Sequence, residues 1–387
     1  MRAILASFLC FTLVFGVMGT YTFAAEEQAN LAPDAASAII IERDTGTVLF
    51  EKNSNEKLPP ASMTKIMTML LIMEAIDMGK ISYDDKVRTS ERAASMGGSQ
   101  IFLEPGEEMT VKDMLKAIAV ASGNDASVAM AEYIAGSEEE FAKMMNAKAK
   151  ELGLTNTNFM NSNGLPADNH YTTSYDLAMI SKELLKYEDI TKFTGIYEDY
   201  LRQGTEDEFW LVNTNKLVKF YPGVDGLKTG YTNEAKYCLT ATAEKNGMRI
   251  ITVIMGAPTP KERNKQITEM LDYSFSQFMT HQLYDRGHAL ANVKVSKGAE
   301  SKVAAVTSEP VSVLTKKGIS IEDVTEHVDV EKTLQAPVKK GDTVGTLKLE
   351  KDGEVLVETK LVASVDVESA SWWMLFKRTV GKFSGRE

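Results

Sequence analysis

Cysteine and histidine are scarce in this sequence of 387 residues. The two cysteines are Cys10 and Cys238, and Cys10 lies in a leader segment that we expect to be removed. The cysteine that is left cannot form an intrachain disulfide by itself. The four histidines are scattered and show no zinc-ligand spacing: His170, His281, His288 and His327. These shortages argue against a metalloenzyme and against a disulfide scaffold, and we expect no cofactor.

Basic residues are fewer than acidic residues. Lys and Arg number 43 against 54 Asp and Glu, which gives a formal net charge of -11 at pH 7. Proteins that grip nucleic acid concentrate Lys and Arg against the phosphates, so this balance argues against nucleic-acid binding. Hydrophobic residues make up 44% and charged residues 25%, which is typical of a globular protein. The length predicts roughly two or three domains.

The first 25 residues have the order of a secretory signal peptide. Arg2 is followed by an apolar stretch from Ile4 to Val17, and small residues stand at Ala24 and Ala25. We therefore expect residues 1–25 to be removed during export, with an uncleaved membrane anchor as the alternative. No later apolar run approaches the roughly 20 residues that a membrane-spanning helix needs. The mature protein is expected at the outer face of the cytoplasmic membrane, or in the cell wall.

The last 20 residues, 368–387, combine aromatic and basic residues at helical spacing. Trp372, Phe376, Val380 and Phe383 recur on one face, interspersed with Lys377, Arg378, Lys382 and Arg386. Such an amphipathic helix tends to lie in the bilayer interface, attracted to anionic headgroups. The sequence therefore predicts a membrane-anchoring helix, with a terminal helix packed on its own domain as the alternative.

The sequence predicts that residues 26–285 form one α/β domain. A hairpin is predicted over 38–50, and helices over 62–78, 111–121, 125–135, 138–152, 174–187 and 260–278. Strands are predicted over 226–230, 237–243 and 249–256. Because strands stand at both ends with helices between them, we expect an antiparallel sheet that collects strands from distant parts of the chain. Alternating apolar and polar residues from 289 to 366 predict a small all-β domain.

The first chemical motif is Ser62-Met63-Thr64-Lys65, at the start of an apolar helix. Three residues make about one helical turn, so the Ser62 hydroxyl and the Lys65 amine share a face. A serine hydroxyl needs a base, and a lysine amine is a base only when burial or a nearby cation lowers its pKa. Ser54 and Lys57 have the same spacing but lie in a polar loop, without an apolar helix after them.

Two further motifs are weak when each is taken alone. Ser122-Gly123-Asn124 lies between two predicted helices, where it also fits a helix end followed by a helix cap. Lys228-Thr229-Gly230 enters a predicted strand, where a cation, a hydroxyl and a glycine suit a carboxylate-binding edge. Ser-x-Asn and Lys-Thr-Gly each occur once in the chain and follow Ser62 in this order, so the set is far more specific than its parts.

With these motifs the chain resembles the serine penicillin-recognising enzymes, and among them the low-molecular-mass D-alanyl-D-alanine carboxypeptidases. The resemblance covers nearly all of the mature chain and implies a β-lactamase/transpeptidase-like domain followed by the small all-β domain. It implies removal of the terminal D-alanine from peptidoglycan stem pentapeptides through an acyl-enzyme on Ser62, and acylation by β-lactam antibiotics. The β domain would raise the catalytic domain off the membrane; a wall- or protein-binding module is the alternative.

The resemblance also assigns roles to individual residues. Lys65 is the base for acylation, Ser122 passes a proton towards the leaving amine, and Lys228 adds the positive potential that keeps Lys65 neutral. The other assigned positions contact the substrate: Asn124 binds its amide, Thr229 and Arg263 bind its carboxylate, and Gly230 and Tyr231 lie on the strand beside it. Backbone N–H groups of Ser62 and Tyr231 form the oxyanion hole. Arg249 rivals Arg263 but is expected to be an exposed strand residue.

Three other functions share parts of this pattern. A β-lactamase of the class that deacylates with a Glu-x-x-Leu-Asn loop is disfavoured, because no such segment precedes Lys228. A DD-endopeptidase that cuts peptidoglycan crosslinks has the same motifs and stays open. A non-catalytic penicillin- or muropeptide-binding regulator is disfavoured by the complete set of Ser62, Lys65, Ser122 and Lys228.

Overall fold

The computed structural model describes residues 30–351 and 353–383. The predicted signal peptide and Arg386 lie outside these residues, as do the side chains of Val380, Lys382 and Phe383.

A five-stranded antiparallel sheet forms the centre of the N-terminal part, with its strands in the order β2-β1-β9-β8-β7. Its strands are β1 (Ser37–Glu42), β2 (Val48–Lys52), β7 (Val224–Thr232), β8 (Lys236–Lys245) and β9 (Met248–Ala257). Strand β1 pairs with β2 as the predicted hairpin and with β9 across more than 200 residues of chain. The prediction of a sheet assembled from distant strands is confirmed. Two pairs of short antiparallel strands lie outside this sheet: β3 (Lys86–Arg88) with β4 (Glu108–Thr110), and β5 (Glu198–Leu201) with β6 (Phe209–Val212).

Ten α-helices lie within the described residues, and the six long ones of the N-terminal part overlap the predicted ranges. They are α1 (Lys65–Asp77), α2 (Glu91–Ala94), α3 (Val111–Lys116), α4 (Asn124–Ala135), α5 (Glu138–Glu151), α6 (Ser174–Leu184), α7 (Thr191–Thr194), α8 (Leu217–Phe220), α9 (Pro260–Gln277) and α10 (Trp372–Phe383). Short 3₁₀ segments at Ala61–Thr64 and Glu188–Ile190 and a π-helical turn at Ala117–Ala121 complete them.

Both faces of the central sheet are buried. Ile39 and Ile41 of β1 pack on one face in a core that includes α1, α4 and α6, while Ile40 packs on the other face against α9. Successive side chains of a strand point to opposite faces, so the run Ile39-Ile40-Ile41 supplies both cores. Helix α1 is buried from Lys65 to Ala75, and it is apolar on all sides because it lies inside the protein. The lysine at its start therefore enters a dry environment.

The C-terminal part is all β. Its strands are β10 (Phe278–Tyr284), β11 (Ala289–Ser296), β12 (Lys302–Thr307), β13 (Val311–Lys316), β14 (Thr325–Val330), β15 (Thr333–Gln335), β16 (Thr343–Lys351) and β17 (Glu354–Ala363). Six of them form one sheet in the order β14-β16-β17-β12-β11-β15, and β10 pairs with β13. A valine- and leucine-rich core, which includes Val293, Val344 and Leu361, packs between them. The sequence pattern does not identify β10, β12 or β15.

Ion pairs and hydrogen bonds join this β part to the helices. The Glu309 carboxylate lies 2.8 Å from Lys182 Nζ of α6 and 3.6 Å from Lys186 Nζ. Ser312 of β13 donates to Asp44, which stands in the β1–β2 turn. These contacts tie the β part to the end of α6 and to the first hairpin.

Helix α10 exposes the aromatic residues Trp372, Trp373 and Phe376. Trp372 is 74% exposed, and the Trp372, Trp373 and Phe376 rings stack on one another. The Arg378 guanidinium donates to the backbone carbonyls of Gly298 and Ala299. In the described part of the chain, every helix is too short or too polar to cross a bilayer.

Candidate active site

The Ser62–Lys65 motif lies where the 3₁₀ turn Ala61–Thr64 runs into α1. Ser62 is half-buried, and Lys65 is the first residue of α1 and is completely buried. The Lys65 Nζ lies 3.2 Å from the Ser62 Oγ. The helical turn thus brings the hydroxyl and the amine into hydrogen-bonding contact. Ser54 Oγ instead donates to Glu51, and Lys57 Nζ lies over the Tyr171 ring at 4.7 Å, so the rival pair does not form.

Two further acceptors define the chemistry of the Lys65 amine. Its Nζ lies 2.6 Å from the Asn124 Oδ1 and 2.6 Å from the backbone carbonyl oxygen of Asn163. A neutral amine has two N–H groups and one lone pair. When the two N–H groups donate to these oxygens, the lone pair is left for the hydroxyl proton of Ser62. This is the arrangement that a general base for the serine needs.

The electrostatics of the site favour that neutral amine. Burial lowers the pKa of Lys65 well below its usual value of 10.5, and the nearby Lys228 lowers it further, while Asp125 opposes them. Burial also lowers the pKa of Lys228, to about 7, with a further contribution from the positive charge of Arg263. A row of buried cationic side chains thus disfavours the proton on Lys65.

The Ser122–Asn124 motif is a strained turn between two helices. The π-helical turn ends at Ser122, whose φ of 64° is in the left-handed region, and α4 begins at Asn124. The buried Ser122 Oγ has no hydrogen-bond partner within the described residues. Because a buried hydroxyl without a partner is costly, this one is available to a substrate atom or a water molecule. Asn124 uses Oδ1 for Lys65 and donates from Nδ2 to Gly97 O, which leaves it one N–H.

The Lys228–Gly230 motif lies on β7, which is one of the two edge strands of the central sheet. Lys228 is buried, and the Thr229 Oγ1 lies 2.8 Å from that of Thr214. A Cβ added at Gly230 would lie 2.9 Å from Pro60 O, so only glycine lets the strand approach the 3₁₀ turn so closely. Tyr231 follows and is 51% exposed, with its ring stacked on Tyr237.

The two rival arginines differ in what surrounds them. Arg263 is buried near the start of α9, with Nη1 3.4 Å from Cys238 O, and its charge lowers the pKa of Lys228. Arg249 is buried as well, and it pairs with Asp225 and Glu244. The expectation that Arg249 is an exposed strand residue is wrong. Its position on β9 reads as exposed from the sequence, because neither acidic partner is adjacent to it in the chain.

Cys238 is a buried free cysteine. Burial raises the pKa of its thiol to about 11. It therefore behaves as a small apolar core residue, as expected from the sequence.

The resemblance implies that residues 161–166 form a loop over the site, but it does not predict that the backbone of the loop 158–170 contacts Lys65. Its backbone carbonyls at Ser162 and Asn163 accept hydrogen bonds from Thr68 and Lys65, each at 2.6 Å. The buried Glu138 carboxylate holds this loop by accepting from the backbone N–H and the hydroxyl of Ser162. Since backbone carbonyls leave no residue signature, the sequence gives no signal for these contacts.

Two family models match the chain. Residues 23–259 match the peptidase S11 family, described as D-alanyl-D-alanine carboxypeptidase. Residues 278–369 match the penicillin-binding protein 5 C-terminal domain. The first match covers more than half of the chain and includes all three motifs. The fold and the site thus define a serine penicillin-binding enzyme, and the chain belongs to the peptidase S11 family of D-alanyl-D-alanine carboxypeptidases.

Individual relatives agree with this assignment. The chain is 61% identical over 381 residues to the D-alanyl-D-alanine carboxypeptidase DacF of Bacillus subtilis, covering 96% of this chain and 98% of the relative. Penicillin-binding protein 5 of Haemophilus influenzae superposes with a TM-score of 0.66 at 30% identity, covering 87% of this chain and 98% of that structure. Ampicillin-bound penicillin-binding protein D2 of Listeria monocytogenes superposes with a TM-score of 0.56 at 30% identity, covering 62% and 98%.

Proposed function

We propose that this protein is an exported D-alanyl-D-alanine carboxypeptidase that removes the terminal D-alanine from peptidoglycan stem pentapeptides. Its substrate belongs to the cell wall, so the enzyme acts outside the cytoplasm. The observation that carries the proposal is the Lys65 amine, which is buried, 3.2 Å from Ser62 Oγ and supplied with two other hydrogen-bond acceptors.

Acylation begins when the Ser62 oxygen attacks the carbonyl carbon between the last two D-alanines. The hydroxyl proton moves to Lys65, and the carbonyl oxygen takes the negative charge. Backbone N–H groups of Ser62 and Tyr231 stabilise that oxyanion, each typically worth about 3 kcal/mol. The C–N bond then breaks as the leaving nitrogen receives a proton through Ser122. Free D-alanine departs, and Ser62 keeps the acyl group as an ester.

Deacylation reverses the proton transfers with water in place of the leaving amine. A water oxygen attacks the ester carbonyl carbon, and its proton passes to the neutral Lys65. The bond between the carbonyl carbon and the Ser62 oxygen then breaks, Lys65 returns the proton to that oxygen, and the shortened peptide leaves as a carboxylic acid. A β-lactam enters by the same acylation step, because its strained amide carbonyl occupies the position of the scissile bond.

Substrate binding is assigned to the walls of the cleft. Thr229 and the positive charges of Lys228 and Arg263 attract the terminal carboxylate. The remaining Asn124 N–H donates to a substrate amide carbonyl, and the Gly230–Tyr231 edge of β7 lies along the peptide. The Ser122 hydroxyl has no hydrogen-bond partner among the residues that the structure describes, which supports its role in proton transfer.

The two ends of the chain are assigned to targeting. We propose that residues 1–25 direct export and that 368–387 anchor the protein at an anionic membrane surface through Trp372, Trp373 and Phe376. The mature chain would then co-sediment with anionic liposomes, whereas a chain that ends at Ser369 would not. Equal binding by both chains would remove the anchor.

The function is tested by two assays on the purified mature protein. Wild type and Ser54→Ala are expected to bind labelled penicillin covalently and to release D-alanine from a pentapeptide, whereas Ser62→Ala does neither. Labelling without D-alanine release would support the penicillin-binding regulator instead. Cleavage of crosslinked dimers in preference to pentapeptides, measured by mass spectrometry of muropeptides, would support the DD-endopeptidase.

A further inference from the structure

His170 connects the loop 158–170 to the 3₁₀ turn Ala61–Thr64, which carries the nucleophile Ser62 and is called the nucleophile turn below. It is 8% exposed, and its ring packs edge-on against Phe159 with 5.9 Å between ring centroids. His170 Nδ1 lies 3.0 Å from the backbone N of Met160, and Nε2 lies 2.8 Å from the Thr64 Oγ1. The imidazole thus bridges the loop backbone and Thr64, the residue that immediately precedes Lys65.

The direction of each hydrogen bond in this bridge follows from its ends. The Met160 backbone N–H can only donate, so His170 Nδ1 accepts and carries no proton. The ring proton therefore sits on Nε2 and is donated to Thr64 Oγ1. The Thr64 hydroxyl in turn donates to Ala61 O, 2.9 Å away. Every donor and acceptor in the chain from Met160 to Ala61 has a defined role.

The charge state of the ring agrees with that assignment. Burial lowers the pKa of His170 to about 4, so the ring is neutral at neutral pH. His170 lines a cavity of about 520 Å³, and the other ionisable side chains of that cavity are Lys57, Asp168 and Glu234, together with the Tyr171 phenol.

The last acceptor in this chain sits next to the nucleophile. Ala61 has a φ of 49°, an unusual backbone conformation for a residue with a side chain, and it immediately precedes Ser62. Its carbonyl oxygen is also the nearest atom that a Cβ added at Gly164 would meet, so the loop packs directly against it. Strained conformations persist only where their surroundings hold them. The Thr64 hydroxyl and the loop are the groups that hold this one.

We propose that His170 is a positioning residue for acylation. Through Thr64 it fixes the turn that carries Ser62, and through Met160 it fixes the loop whose Asn163 carbonyl orients the Lys65 amine. It touches no substrate atom. It acts by keeping the Ser62 hydroxyl and the Lys65 amine within hydrogen-bonding distance of each other. The role rests on the proposed function, since it concerns the same acyl transfer.

The test compares rates of acylation by labelled penicillin at a temperature where every variant is folded. Thr64→Val and His170→Asn are each expected to slow acylation at least tenfold, and Thr64→Ser, which keeps the hydroxyl, is expected to restore it. Because the two residues act as one unit, the double variant should be no slower than the slower single variant. Rates within twofold of wild type for both single variants, or effects that multiply in the double variant, would overturn the proposal.

A matched control lies in the β part. His281 Nε2 is 3.0 Å from the Thr315 Oγ1, so this is also a histidine–threonine pair, but it links β10 to β13. His281→Asn and Thr315→Val should leave acylation within twofold of wild type while lowering the melting temperature. If they slow acylation as much as the variants at 170 and 64, the effect is general destabilisation and the proposal fails.

Two readouts on the wild-type mature chain keep the test independent of variant folding. Nitrogen-15 NMR should show His170 with its proton on Nε2 and with Nδ1 accepting a hydrogen bond; a proton on Nδ1 would contradict the bridge. If wild type is not acylated at all, the proposed function fails. If wild type is acylated and the variants at 170 and 64 keep its rate, only the role of His170 fails.

Discussion

Gly164→Ala should separate the loop 158–170 from the nucleophile turn. Gly164 has a φ of 87°, and a Cβ built on it would lie 1.8 Å from Ala61 O and 2.4 Å from Ala61 C. Real Cβ atoms keep at least 3.0 Å from such atoms, so the two backbones must move apart by more than about 1 Å. That movement carries the neighbouring Asn163 carbonyl away from Lys65. Misplacing a catalytic group by about 1 Å can cost about 100-fold in rate.

Gly153→Ala is the matched control for the cost of placing an alanine in the left-handed backbone conformation. Gly153 has a φ of 75°, but a Cβ there would meet nothing within 4 Å. This variant should therefore lose only the about 1–2 kcal/mol that a left-handed conformation costs an alanine. Its rate of acylation by labelled penicillin should equal that of wild type.

The assay is stopped-flow acylation by labelled penicillin, with thermal unfolding of the same samples. Gly164→Ala is expected to be less stable than Gly153→Ala and to acylate about 100-fold more slowly than wild type. If folded Gly164→Ala acylates at the wild-type rate, the loop does not set the position of Lys65, and the reasoning is refuted.

Three further predictions follow from the ionisable groups. In Lys228→Met, loss of a nearby cation raises the pKa of Lys65, so the acid limb of the acylation rate moves to higher pH; an unchanged limb would mean that the two amines are not coupled. The Cys238 thiol, with its pKa raised to about 11 by burial, should resist a thiol reagent at pH 8 until the protein unfolds, and rapid labelling of the native protein would disagree. Burial raises the pKa of Glu309, but Lys182 and Lys186 outweigh it and the net pKa is lowered. Its ion pairs therefore stabilise the protein above the ordinary carboxylate pKa of 4.5 and are lost as pH falls through the lowered value, so Glu309→Gln should flatten the melting temperature between pH 6 and pH 3, and an unaltered slope would contradict this.

The sequence predicts most of the regular structure because burial leaves a periodic signal. The long helices and the five strands of the central sheet overlap their predicted ranges. Short edge elements such as β15 are missed because three residues do not establish a period. In the small β10–β13 sheet, only β13 is predicted. Strand β10 is missed because Phe278–Tyr284 shows no clean alternation of buried and exposed residues.

The sequence predicts those parts of the site that depend on the type of a side chain, and it does not predict those that depend on backbone conformation. Ser62, Lys65 and Lys228 stand out because their chemistry needs those residue types at those places. The Asn163 carbonyl contact to Lys65 and the left-handed Ser122 come from backbone conformation, which many sequences adopt. His170 reads as one of four scattered histidines until the fold places it against Thr64. The Arg249 ion pairs likewise appear only once β8 lies beside β9 and β7 lies beside β8.

The most direct test of the account is the pKa of Lys65 itself, measured by NMR titration of labelled lysine in the full mature chain. The Lys65 signal is assigned by comparison with Lys65→Met. The account predicts that this amine loses its proton well below the ordinary value of 10.5, so that at neutral pH it is able to accept the proton of Ser62. An amine that titrates near 10.5, like an exposed lysine, would contradict it.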